Sequence, residues 1–164
     1  MDSQRSAQKN FGGIAQVPGS EEAQIKQMLD SFAEAIEAKD IDRIMSFYSP
    51  DIVAFDMMAP LKHTGIRAWR KVWQAALPMM EGTMTSEMLD LNIDIGGDVA
   101  VCQALLNVKL QGNRQSYDTW MRWTAGLHRT DGVWLITHEH TSVPADMQTG
   151  RAMMNLQPDS SMTH

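Results

Sequence analysis

The last apolar run of the chain closes on His138-Glu139-His140, followed by Thr141, Ser142, Val143 and Pro144. Imidazole and carboxylate groups hold metals or move protons near neutral pH. Side chains alternate along a strand, so His138 and His140 share one face and Glu139 takes the other. Two histidines on one face could chelate a metal. A third ligand would have to come from Asp56, His63 or His128, no further ligand spacing supports this, and no metal is expected. With the other face inward, Glu139 would bring a carboxylate into a pocket. The sequence leaves that choice open.

The elements that must position these groups can be read in order. Residues 1–19 are polar, with Gly12-Gly13 and Pro18-Gly19, and read as a flexible arm. Ser20 is a good helix cap, with Glu21 and Glu22 in the first turn. Ile25, Met28, Leu29, Phe32 and Ile36 then recur at helical spacing, to an end near residue 38. Asp40 caps a shorter second helix, closed by Pro50. Residues 51–56 read as a short strand, and 57–64 as a loop carrying Pro60 and His63. A third helix follows Gly65 and stops at Pro78. Four long strands remain, at about 83–95, 99–110, 116–129 and 133–144, separated by glycine-bearing turns. That order is α+β with an antiparallel meander. The polar tail 147–164 carries a short helical possibility around 150–156.

Composition narrows the function. At 164 residues the chain reads as one domain with a real core. A net charge of −6 and no basic run argue against nucleic acid or an anionic membrane as partner. A lone Cys102 fits a reducing compartment, no stretch approaches the length of a membrane helix, and the N-terminus lacks a secretory signal. The expected location is therefore cytoplasmic. Fourteen methionines are unusual; Met57, Met58, Met79, Met80, Met84 and Met88 cluster, either as core filler or as a pliable lining for an apolar ligand.

Several pieces of the sequence together resemble the nuclear transport factor 2-like superfamily, in its SnoaL-like and ketosteroid-isomerase-like branch. They are Ala35-Ile36-Glu37-Ala38-Lys39-Asp40, Tyr48-Ser49-Pro50-Asp51, Phe55-Asp56, Gly96-Gly97-Asp98-Val99-Ala100, Trp120-Met121-Arg122-Trp123-Thr124 and the closing strand. The closing His138-x-His140-x-Ser142-x-Pro144 also resembles the association domain of calcium/calmodulin-dependent kinases, an assembly module. The resemblance implies a cystatin-like cone over 20–146. Three N-terminal helices would pack on a strongly curved, mostly antiparallel sheet enclosing a pocket. It also implies that Glu139, Thr137 and Leu135 face that pocket.

In ketosteroid isomerases the general base is an aspartate at the end of the matching strand, and Asp56 falls on that position. A carboxylate at the mouth of an apolar cone loses hydration and becomes a better base; it could equally cap a loop. The same enzymes stabilise the developing oxyanion with a helix-one tyrosine, where this chain has Phe32. Their protonated acid on a later strand falls here near Thr124 or Ala125. Tyr48 could offer a hydroxyl to the pocket or pack into the core. His63 could pair with Asp56 or lie in solvent. Glu139 could stand as a second carboxylate beside Asp56. Arg122 either faces solvent or a subunit interface or pairs with Asp118, Glu139 or a ligand carboxylate, and a structural ion pair is the preferred reading. Trp69, Trp73, Trp120 and Trp134 fit core and interface faces, whereas Trp123 shares the strand face of Ala125 and reads as pocket wall with Phe32, Thr137 and Met58.

Two functions are compatible with these residues. One is a cofactor-free enzyme moving a proton on an apolar, carbonyl-bearing small molecule, of isomerase, cyclase or dehydratase type. Asp56 would be its base, with His63, Glu139 or Tyr48 as polar partners. The other is a non-catalytic ligand-binding or assembly module. In both, a homodimer through the outer sheet face is expected, because helices can cover only one face of the sheet.

Overall fold

A computed structural model describes residues 19–159. The arm expected at the N-terminus and the last residues of the tail lie outside that range. Ser20 starts the first helix, its hydroxyl accepting from Ala23 N at 3.2 Å. Helix α1 (Glu21–Glu37) buries Ile25, Leu29, Phe32 and Ala35, the stripe that its spacing predicts. Asp40 Oδ1 accepts from Arg43 N at 3.0 Å and caps α2 (Ile41–Ser46).

Strand β1 (Tyr48–Phe55) begins earlier than residue 51, so Tyr48 is a strand residue and Pro50 lies inside the strand. The pairing of β1 is irregular between Tyr48 and Val53, which accommodates a residue with no N–H to donate. The segment expected as a plain loop carries a two-residue strand β2 (His63–Thr64), paired with β1. Helix α3 (Ile66–Ala76) runs into a short 3₁₀ turn, Leu77–Met79. Then come β3 (Thr83–Gly96), β4 (Val99–Gln111), β5 (Ser116–Thr130) and β6 (Val133–Ser142). Asp131 and Gly132 both adopt positive φ, at 51° and 80°, as a tight hairpin turn between twisted strands requires.

The six strands form one sheet in the order β2-β1-β6-β5-β4-β3. All neighbours are antiparallel except β1 and β6, which run parallel. The helices cover one face. The core lies between them, built from Ile25, Leu29 and Phe32 on one side and Cys102, Trp123, Ala125, Leu127 and Ile136 on the other. The expected cone of helices on a curled sheet is thus present. After Pro144 the chain makes turns and a single β-bridge between Ala145 and Ala152, where the sequence suggested a helical turn.

Two one-residue bulges bend the sheet. On β3, pairing steps from Leu89 to Asn92 while β4 advances by two residues, and Asp90 takes φ 56°. On β6, Leu127 pairs with Ile136 and Gly126 with His138, leaving Thr137 as the extra residue. That second bulge decides the face of the closing strand. Before it, Trp134 and Ile136 point into the core; after it, Glu139 does. Strict alternation would have put His138 inward with Trp134 and Ile136.

Candidate functional site

A cavity of about 540 Å³ lies between α1, α3 and the inner face of the sheet, within the size range of small-molecule sites. Its wall is mostly apolar, with Phe32 and Leu29 from α1, Trp69 and Trp73 from α3, and Met84, Met88 and Leu106 from the sheet. Two carboxylates, Asp56 and Glu139, line it. No lysine or arginine does among the described residues. Trp123 and Met58 also line it, as the sequence suggests.

Glu139 is 7% exposed, and both of its oxygens are held. The Tyr48 hydroxyl donates to Oε2 at 2.5 Å. The Trp123 indole N–H donates to Oε1 at 2.9 Å. Burial pushes the Glu139 carboxyl above its ordinary value, and the nearby charge of Asp56 adds to that. The Tyr48 and Trp123 donors and His138 pull the other way. Burial and the Glu139 charge push the Tyr48 phenol well above its usual value, while the Trp69 and Trp73 indole N–H groups oppose them.

Asp56 stands just past the end of β1, beside the closing strand. Its Oδ1 accepts from the Thr141 hydroxyl at 3.3 Å. Its second oxygen carries no hydrogen bond among the described residues. Thr141 is two residues beyond Glu139 and on the same strand face, so β6 presents both groups to the cavity.

Four expectations change. Thr137 does not line the cavity; it is the bulged residue, and its hydroxyl donates to Gly126 O at 3.1 Å. Leu135 does not line it either, because before the bulge the inward positions are Trp134 and Ile136. His63 is half-buried and not paired with Asp56. It sits opposite Ala54 on β2, with its ring 5.4 Å from that of Trp69. His138 and His140 lie on the outer face, where His138 Nδ1 is 2.8 Å from Val53 O and both rings meet Phe55 edge-on. Arg122 is exposed and makes no ion pair among the described residues; Lys109 takes Asp118 instead.

A family model described as the SnoaL-like domain matches residues 25–146. The chain belongs to the SnoaL-like family. This SnoaL-like protein is 32% identical to an NTF2-like protein of unknown function from Pseudomonas putida KT2440, with a TM-score of 0.77 over 85% of this chain and 99% of that one. A proposed dehydratase of the NTF2-like family from Streptomyces avermitilis shares the fold at 16% identity and a TM-score of 0.70, over 79% of this chain and all of that one. The CaMKII hub of S. rosetta shares it at 18% identity and a TM-score of 0.64, over 77% and 98% of the two chains. No curated protein sequence matches the chain.

Within this SnoaL-like chain the two donors missing by position have neighbours of the same chemistry. Tyr48 packs edge-on against Phe32, ring centroids 5.5 Å apart. Glu139 is the register partner of Ala125. A phenol from β1 and a buried carboxyl from β6 therefore stand beside Phe32 and Ala125.

The sequence reading missed Trp69 and Trp73 as cavity residues. The available signal was their i, i+4 spacing, which puts both rings on one helix face. A tryptophan also carries a polar N–H that a buried site must satisfy.

Proposed function

We propose that the cavity binds a neutral, apolar small molecule carrying a carbonyl group and moves a proton on it without a cofactor, with Asp56 as the base. The observation that carries this reading is one apolar cavity holding two carboxylates and no cationic side chain among the described residues. Such a wall disfavours an anionic ligand, because its charge would be desolvated next to like charges. In the proposed reaction Asp56 takes a proton from the carbon beside the carbonyl, and the electron pair moves toward the carbonyl oxygen. Return of the proton to another carbon isomerises the substrate; loss of a hydroxyl with that proton dehydrates it. The likeness to a proposed dehydratase supports the second outcome as a candidate. Phe32, Trp123 and Met58 form wall, and Glu139, itself a lining residue, makes a buried proton-holding pair with Tyr48 behind it.

Binding is tested by thermal melts with neutral aromatic ketones and the matching carboxylic acids. Ketones should raise the melting temperature and the acids should not. Chemistry is tested by Asp56→Asn, which should keep binding and lower turnover about a hundredfold or more.

A second reading, a binding or assembly module without chemistry, is favoured by one observation: both Glu139 oxygens are already engaged by the protein. Under either reading we propose a homodimer through the outer sheet face, where Val101, Leu105 and Trp120 lie outside the core. Light scattering at micromolar concentration should give twice the chain mass; a monomer would remove the dimer.

A further inference from the structure

The cavity has a second polar end, away from Asp56 and Glu139. Thr119 and Tyr117 line it from β5, and Ser86 lines it from β3. Val108 on β4 pairs with both Ser86 and Thr119, so these three stand in one row across the inner face. Thr119 is 4% exposed, and its hydroxyl has no hydrogen-bond partner among the described residues. The Tyr117 phenol has none either. The Thr119 oxygen is not sealed in the packing. Among the described residues, the polar side-chain atoms both sealed and unpartnered belong to Ser49, Trp69, Trp73 and Trp134. For a strand residue that lines the cavity, the open side is the cavity.

A buried hydroxyl without a partner is uncommon, because it gives up its bond to water for nothing. Packing alone does not call for it. Valine has the same branched shape and would fill the position with no polar atom to satisfy. Burial pushes the Tyr117 phenol above its usual value, so it stays a neutral donor.

The register places this end relative to Asp56. Thr141, which donates to Asp56, is the partner of Trp123. Thr119 lies four residues before Trp123 on β5, roughly 13 Å along the strand. Met121 and its partner Leu106 fill the stretch between with apolar surface.

We infer that Thr119, bordered by Tyr117 and Ser86, anchors a second subsite that takes a neutral oxygen at the far end of the ligand. The inference rests on the reading of the cavity as a site for a neutral carbonyl compound, and adds the shape of that compound. It is an elongated apolar molecule with one oxygen at the Asp56 end and another, a hydroxyl or a ketone, at the opposite end. A hydroxyl side chain can donate to either and accept from the first. A carboxylate or phosphate would need a cation, and no lysine or arginine lines the cavity among the described residues.

The test compares two rigid, neutral probes on the full chain, 4-acetylbiphenyl and its 4′-hydroxy derivative, which differ only by a hydroxyl at the end far from the ketone. A hydroxyl buried without a partner weakens binding, because it loses water. The wild type should instead bind the hydroxy derivative about tenfold more tightly than the parent ketone, as one added hydrogen bond in a dry site allows. Thr119→Val should remove that preference and bring the two affinities together. Equal or weaker wild-type binding of the hydroxy derivative would overturn the subsite while leaving the carbonyl site standing. This comparison needs no variant to fold. A preference that survives Thr119→Val and disappears in Asp56→Asn would place the probe's hydroxyl at the other end, and would also overturn the subsite. Failure of the wild type to bind either probe would overturn the reading of the cavity, and the subsite with it.

Discussion

The Tyr48 hydroxyl donates to Glu139 Oε2 at 2.5 Å, and this bond ties the first residue of β1 to the closing strand beneath the cavity. The two residues lie 91 positions apart and meet because β1 runs parallel to β6. Trp123 completes the pair from β5, so three strands fix one carboxyl group.

Tyr48→Phe should therefore destabilise the fold. It leaves a buried carboxyl oxygen without its donor, a loss of about 1–3 kcal/mol. Urea unfolding should show a lower midpoint with an unchanged slope. In a double-mutant cycle with Glu139→Gln the two changes should cost less together than their sum, since they act on one contact. Strict additivity would mean that the bond contributes nothing specific.

Stability should depend on pH through Glu139. Burial raises its folded-state value above the ordinary 4.5. The folded protein then keeps the proton at pH values where the unfolded chain has released it. The stability from this group is present below pH 4.5 and is lost as pH rises through the folded value. Measured by urea unfolding, the wild-type stability minus that of Glu139→Gln should fall as pH rises from that point and then level off. A difference that grows with pH would mean that the carboxylate, not the acid, is the favoured buried form.

Much of this architecture was legible in the sequence, and the losses have physical causes. The helix starts at Ser20 and Asp40 were readable because caps act locally. The four long strands were readable from their turns. The face of Glu139 was not readable from alternation, because one unpaired residue, Thr137, reverses every assignment after it and a bulge leaves no mark in the hydrophobic pattern; the family resemblance alone put it inward, where it lies. Asp56 was placed at the cavity by its position after β1, yet its partner proved to be Thr141, a hydroxyl contributed by a strand 85 residues away. His63 was misjudged because a two-residue strand carries too little pattern to be seen. Trp69 and Trp73 were read as packing alone, although their spacing already placed both rings on one side of α3.

Cys102 offers a check on the sheet's inner face. It is 0% exposed, and burial together with the charge of Asp94 pushes its thiol up to about 11. A thiol-reactive disulfide reagent at pH 8 should leave the native protein unmodified and react promptly once urea unfolds it. Native reaction at the unfolded rate would contradict the burial of Cys102 in the core between helices and sheet.

The proposed step is transfer of a proton by Asp56 on a carbonyl compound held in this cavity. It can be measured without knowing the natural substrate. A neutral aromatic ketone is incubated with the protein in deuterated buffer, and deuterium entering the carbon beside the carbonyl is followed by mass spectrometry. The wild type should accelerate that exchange well above buffer, and Asp56→Asn should abolish most of the acceleration while binding the ketone as before. Exchange at the buffer rate with a ketone bound in the cavity, or equal acceleration by Asp56→Asn, would contradict the account.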